Sequence, residues 1–110
     1  MDTSSSKQTW EEVLPIAKQT VDALIARLPD DLRPEAVRIG YELRKRCWDG
    51  DDILGQYGRP AQLITLYLES IRDHAAVESL DFCSQVEKTY LHELGHHLGL
   101  GEDDLEKRDL

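Results

Sequence analysis

The sequence predicts an α+β fold in which two long helices pack with a small three-stranded sheet. Three observations predict it. Apolar residues recur at helical spacing from Val13 to Leu28. Three short stretches in the middle of the chain carry strand character, bounded by glycine, proline and aspartate. The helical spacing then returns between Cys83 and Leu98, now with histidines on a stripe of their own.

The elements follow in order. Thr9 and Glu12 form a capping box, which starts the first helix near Trp10. Pro15 falls in its early turns and is expected to shift the start or kink the helix. Val13, Ile16, Ala17, Val21, Leu24, Ile25 and Leu28 form its apolar stripe, and Pro29 stops it. No chemistry is visible in this helix, whose expected role is to cover one face of the sheet. Residues 29–34 read as a turn or a single helical turn. Val37, Ile39, Tyr41 and Leu43 alternate with Arg38, Gly40, Glu42 and Arg44, the period of a half-buried strand. The basic triplet Arg44-Lys45-Arg46 reads as the solvated end of that strand. The loop Trp48-Asp49-Gly50-Asp51-Asp52 is acidic, but it lacks the remaining ligand positions and closing glutamate of a calcium loop. Residues 53–57 and 62–68 read as two strands joined by a turn at Gly58-Arg59-Pro60-Ala61, a hairpin. Ile64, Leu66 and Leu68 should face the core, with Thr65 and Tyr67 pointing the other way. Residues 70–76 suit a short helix, with His74 on its surface.

Composition narrows the function. The 110 residues correspond to one domain, expected over residues 9–110 after a disordered N-terminus at residues 1–8. With 40% hydrophobic and 32% charged residues, the chain has a modest core and a polar surface. A formal net charge of −9 disfavours nucleic acid and anionic membrane as partners, because phosphates attract clustered lysine and arginine. No apolar run has the length of a membrane span, and the residues after Met1 lack the pattern of a signal peptide. The expected location is the cytoplasm. Cys47 and Cys83 match no zinc or redox spacing and are expected as reduced thiols, Cys83 within the core.

The last long helix carries the chemistry. Ser79 to Asp81 offer caps for its start, and Cys83, Val86, Tyr90, Leu91, Leu94 and Leu98 supply its buried stripe. Gln85, Lys88 or Thr89, His92 and His96 form a separate polar stripe. Within it stands His92-Glu93-x-x-His96. Four residues of helix advance about 6 Å and about 400°, which stacks the two imidazoles on one face. Both nitrogens can then reach one Zn²⁺ at roughly 2.0–2.1 Å. Glu93 lies about 100° further round, close to the metal but offset from it, where a general base belongs. His97 points about 100° from His96 and is assigned to packing or a hydrogen bond rather than to zinc. Gly99 can leave the helix in a left-handed conformation, and Glu102 then stands where it can return as a third ligand. Asp103 and Asp104 are the alternatives for that role. The full pattern, His92-Glu93-x-x-His96-x-x-Gly99-x-x-Glu102, has the shape of the metzincin motif with a carboxylate in place of the third histidine.

With these residues the chain resembles the minimal zincins, small bacterial zinc metallopeptidases of about this length. The resemblance rests on Asp52-Ile53-Leu54-Gly55-Gln56-Tyr57-Gly58, on Ile64-Thr65-Leu66-Tyr67 and on the stretch from His92 to Leu100, in the right order along the chain, and covers residues 28–105. It implies an N-terminal backing helix, a small three-stranded sheet, an active-site helix and a short C-terminal helix. It also implies His92 and His96 as zinc ligands and Glu93 as the base. The family commonly has aspartate as its third carboxylate, where this chain has Glu102. The function expected is hydrolysis of peptide bonds in a peptide or protein substrate, through a zinc-activated water. The alternative is a zinc-binding interaction module without catalysis, in which the metal staples a small core. A metal-dependent hydrolase acting on RNA runs against the acidic balance. No feature sets an oligomeric state.

Overall fold

The first helix begins where its capping residues place it. The computed structural model describes residues 8–50, 52–58 and 62–107, with Glu102 and Leu105 described by backbone alone. All but Gln8 of the N-terminal tract expected to be disordered lies outside the described residues. In α1 (Trp10–Arg27) the Thr9 hydroxyl accepts from the Glu12 amide at 3.2 Å, and the Glu12 carboxylate accepts from the Thr9 amide at 2.8 Å. Two amides that the helix leaves unpaired are thereby satisfied. Pro15 lies inside α1, which continues as one element to Arg27. Val13, Ala17, Val21 and Leu24 are buried, as their spacing requires.

The next element corrects the sequence reading. Residues 37–39 are not strand: α2 spans Arg33–Ile39, and β1 begins only at Tyr41 (Tyr41–Arg44). The alternation of Val37, Ile39, Tyr41 and Leu43 is a coincidence of two elements that meet at Gly40. Pro34 sits in the first turn of α2, where a missing amide hydrogen costs nothing. Gly40 has φ 70° and ends the helix. The inward spacing is helical, through Leu32, Ala36 and Ile39, while Val37 is 66% exposed.

Two further strands, β2 (Gly55–Gly58) and β3 (Leu63–Tyr67), complete a sheet of order β1-β3-β2. The expected hairpin is present: β2 runs antiparallel to β3 with Gly55 opposite Leu66 and Tyr57 opposite Ile64. Of its turn, residues 59–61 lie outside the described residues. On the other side β1 runs parallel to β3, with Tyr41 opposite Ile64 and Leu43 opposite Leu66. The central strand is covered on both faces. Ile64 and Leu66 are fully buried, and so nearly are Thr65 and Tyr67 on the opposite face. Thr65 donates to Glu42 at 3.0 Å and Tyr67 to Gln56 at 2.7 Å, which satisfies the polar atoms that burial would otherwise orphan.

Leu68 is buried, but it opens α3 (Leu68–Val77) rather than ending β3. The short helix expected over residues 70–76 is therefore longer at both ends, and His74 is exposed on it. The end of β1 is tied to α3: Arg46 pairs with Glu69 at 3.2 Å and with Asp73 at 2.6 Å. The buried thiol is Cys47, the residue after Arg46, whereas Cys83 is only half-buried. Cys83 sits in the first turn of the following helix, where the stripe has not yet reached the core.

The chain ends with α4 (Phe82–Leu98) and α5 (Glu102–Lys107). Val86, Tyr90, Leu91 and Leu94 of α4 join Val13, Ala17, Val21 and Leu24 of α1 and Ile64 and Leu66 of β3 in one core cluster. No described helix is long and apolar enough to cross a membrane. Because Leu94 is fully buried on the helix that carries both motif histidines, Leu94→Ala should cost about 2–5 kcal/mol of unfolding free energy. Urea denaturation of the two proteins measures it, and a loss under 1 kcal/mol would place Leu94 outside the core.

Candidate metal centre

Helix α4 is aimed by its own ends. Asp81 caps its start, accepting from the Ser84 amide at 2.9 Å. Its last turn closes at Gly99, with φ 73° and ψ 22°. There the Leu100 amide donates to the Gly95 carbonyl at 2.8 Å and the Gly99 amide to the His96 carbonyl at 3.3 Å. These two bonds make a Schellman motif, which terminates the helix and reverses the chain at once.

Between the caps, burial of Tyr90 and Leu94 fixes the rotation of α4 and therefore the direction of its polar stripe. His92 and His96 are exposed, while Glu93 between them is 5% exposed. The imidazole rings lie 4.5 Å apart between centroids. The Glu93 Oε1 atom is 3.3 Å from His96 Nδ1. One donor atom from each of the three residues falls within 4.8 Å of the others, a set that could hold a metal ion. Two imidazole nitrogens and a carboxylate oxygen are donors that suit zinc.

The cluster borders a groove of about 700 Å³ between α4 and the start of β2. The helix side presents Lys88, Thr89, His92 and Glu93, and the strand side presents Ile53, Leu54 and Gly55. β2 is an edge strand, so its outer side meets no further strand among the described residues. Gly55 sets how close this strand comes. A Cβ there would stand 2.8 Å from Thr89 Cγ2 and 3.1 Å from the Thr65 carbonyl oxygen, so any side chain would push β2 away from α4.

His97 does what its direction on the helix implies. Its side chain is 8% exposed, with Nδ1 2.5 Å from the Tyr57 hydroxyl and Nε2 2.7 Å from Glu35 Oε1. Glu35 in turn accepts from Arg38 at 2.7 and 3.1 Å. Arg38 first, and His97 second, hold the Glu35 carboxyl at about 2, against an ordinary value of 4.5.

The third carboxylate is less simply placed. Glu102 is the first residue of α5, and its side chain lies outside what is described. The Asp104 carboxylate accepts from the Gly101 amide at 3.0 Å and so caps α5 from within, and Asp103 is exposed. Among the described residues the cluster contains His92, Glu93 and His96. Glu106 of α5 also lines the groove, which the sequence reading missed. The available signal was its position four residues after Glu102, on the same side of a helix.

A small mixed sheet packs against a helix that sets two histidines and a glutamate together at the edge of a groove, an arrangement that suits a metal site. The zincin-like metallopeptidase family model matches residues 40–110, and the chain belongs to that family. No curated protein and no solved structure matches it.

The Glu35 contact has a pH signature. A carboxyl whose folded pKa is depressed adds stability above its unfolded pKa, and that stability is lost as pH falls through the folded value. The window here runs from about 4.5 down to about 2. Glu35→Gln should therefore lower the melting temperature at pH 6, and the gap to wild type should shrink steadily as the pH is taken from 4.5 toward 2. Melts at a series of pH values test this, and a gap independent of pH would show that the ionised carboxylate contributes nothing.

Proposed function

We propose that the protein hydrolyses peptide bonds, using a zinc ion held by His92, His96 and Glu102, with Glu93 as general base. The observation that carries this reading is the placement of one buried carboxylate beside two exposed imidazoles at the edge of a groove. Membership of a metallopeptidase family supports it.

Bound at the two imidazoles, zinc would polarise a carbonyl and bring the pKa of water toward about 7. The protein groups then have separate tasks. His92 and His96 supply neutral nitrogen donors from one helical face, one turn apart. Glu93 is held out of solvent next to them, so its carboxylate can take the proton of the attacking water and pass it to the leaving amine. The backbone of β2 can align an extended peptide by strand addition, with Ile53 and Leu54 giving the groove an apolar wall. Glu102 is assigned by position: the reversal at Gly99 turns the chain back just after the histidine pair, and Glu102 follows within three residues. Asp104 is engaged in capping α5, which leaves it less suited to the role.

The test separates binding from chemistry. Purified protein should hold about one zinc per chain, as a single two-histidine site requires. The His92→Ala, His96→Ala double variant should hold none by elemental analysis. Glu93→Gln, nearly isosteric but unable to accept a proton at neutral pH, should keep the zinc and lose hydrolysis of a peptide library. Retention of stoichiometric zinc by the double variant would remove the site assignment. Full activity in Glu93→Gln would remove the mechanism, and a wild type that binds zinc yet cleaves nothing would favour the interaction module.

Glu102→Ala should weaken zinc affinity about tenfold or more in competition with a chelator, since loss of even an outer hydrogen-bonding partner of a ligand costs roughly 10–100-fold. Asp103→Ala should change it much less. A larger loss for Asp103→Ala would move the third ligand by one residue.

A further inference from the structure

His97 links three elements of the fold next to the motif pair. It follows His96 on α4, and its ring meets Tyr57 on β2 and Glu35 on α2. A neutral imidazole satisfies both partners, with Nε2–H donating to the carboxylate and Nδ1 accepting from the tyrosine hydroxyl. The bond to Glu35 is charge-assisted, and Glu35 is itself fixed by Arg38. Two residues before Tyr57 on the same strand, Gly55 lies against Thr89 of α4. The strand is thus located on the helix at two points, once by a close steric contact and once by a hydrogen-bonded ring.

Location matters for this strand more than for the other two. β2 has four residues and, among the described residues, pairs with β3 alone, and its start forms one wall of the groove whose other wall carries His92. A strand pinned on one side only can shift against α4, and such a shift changes its distance from the histidine pair.

We propose that His97 is a positioning residue for peptide binding. It holds β2 at the spacing from His92 and His96 at which one extended peptide can pair with the strand and reach the metal together. The inference rests on the peptide-hydrolysis reading above.

Two probes separate the strand from the metal. Acetohydroxamate binds zinc alone, and leucyl-alanyl-glycine hydroxamate adds a short peptide able to lie along β2. Both are titrated against the zinc-loaded 110-residue protein. In wild type the peptide hydroxamate should bind more tightly than acetohydroxamate. His97→Leu should weaken the peptide hydroxamate about tenfold, since small displacements from productive geometry cost up to about a hundredfold, and should leave acetohydroxamate unchanged. Tyr57→Phe, which removes one hydroxyl and spares the helix, should reproduce most of the loss. The double variant should be no worse than His97→Leu, because both substitutions break one chain of contacts. His97→Gln, which keeps a donor and an acceptor, should recover part of the affinity.

Equal weakening of both probes by His97→Leu would overturn the inference in favour of a general structural role. So would no weakening of the peptide hydroxamate by either single variant. A wild type that binds both probes with the same affinity would overturn the strand-binding reading itself, and the role of His97 with it.

Discussion

The structure depends on the rotation of one helix. α4 must bury Val86, Tyr90 and Leu94 against α1 and the sheet, and at 3.6 residues per turn this leaves no freedom in where His92 and His96 emerge. The core therefore aims the site. Glu93 belongs to both worlds: its neighbour Leu94 is fully buried, and its own carboxylate is nearly so, yet it stays within reach of an exposed imidazole. That placement, a carboxylate drawn out of solvent and left beside ring nitrogens, is what the proposed role of Glu93 as general base draws on.

The second constraint is the approach of β2 to α4. Gly55 allows it, Thr89 receives it, and the ring of His97 completes it further along the strand. These contacts join residues that are far apart in sequence, so the groove is a product of the whole fold and not of the motif helix alone. The ion pairs of Arg46 with Glu69 and Asp73 do similar work at the other edge, where they tie the end of β1 to α3.

Much of this was legible in the sequence, for physical reasons that differ from element to element. The capping box at Thr9 and Glu12, the stripe of α1 and the hairpin of β2 and β3 are local patterns, and local patterns survive folding. The cluster of His92, Glu93 and His96 was legible because a helix converts spacing into proximity. The stretch from Val37 to Leu43 misled because an alternation of four apolar residues straddled a helix end, a glycine and a strand. There the inward spacing of Leu32, Ala36 and Ile39, together with Pro34, carried the truer signal. Burial of Thr65 and Tyr67 could not be read from period two, since it depends on what covers the second face of the sheet. Cys47 rather than Cys83 entered the core for the same reason, and the partners of His97 lie 40 and 62 residues away in the chain.

The brevity of β2 has a consequence for the behaviour of the protein in concentrated solution. An unpaired strand edge is a template on which other chains can assemble, and proteins blunt such edges by keeping them short. β2 has four residues, begins and ends with glycine, and carries an exposed Gln56 between them. An edge of that length offers few backbone bonds to a second copy of itself, and its glycines give an intruding sheet no side chains to interlock with. The same edge can thus stay open, as the proposed binding of a peptide needs, without becoming a seed for fibres.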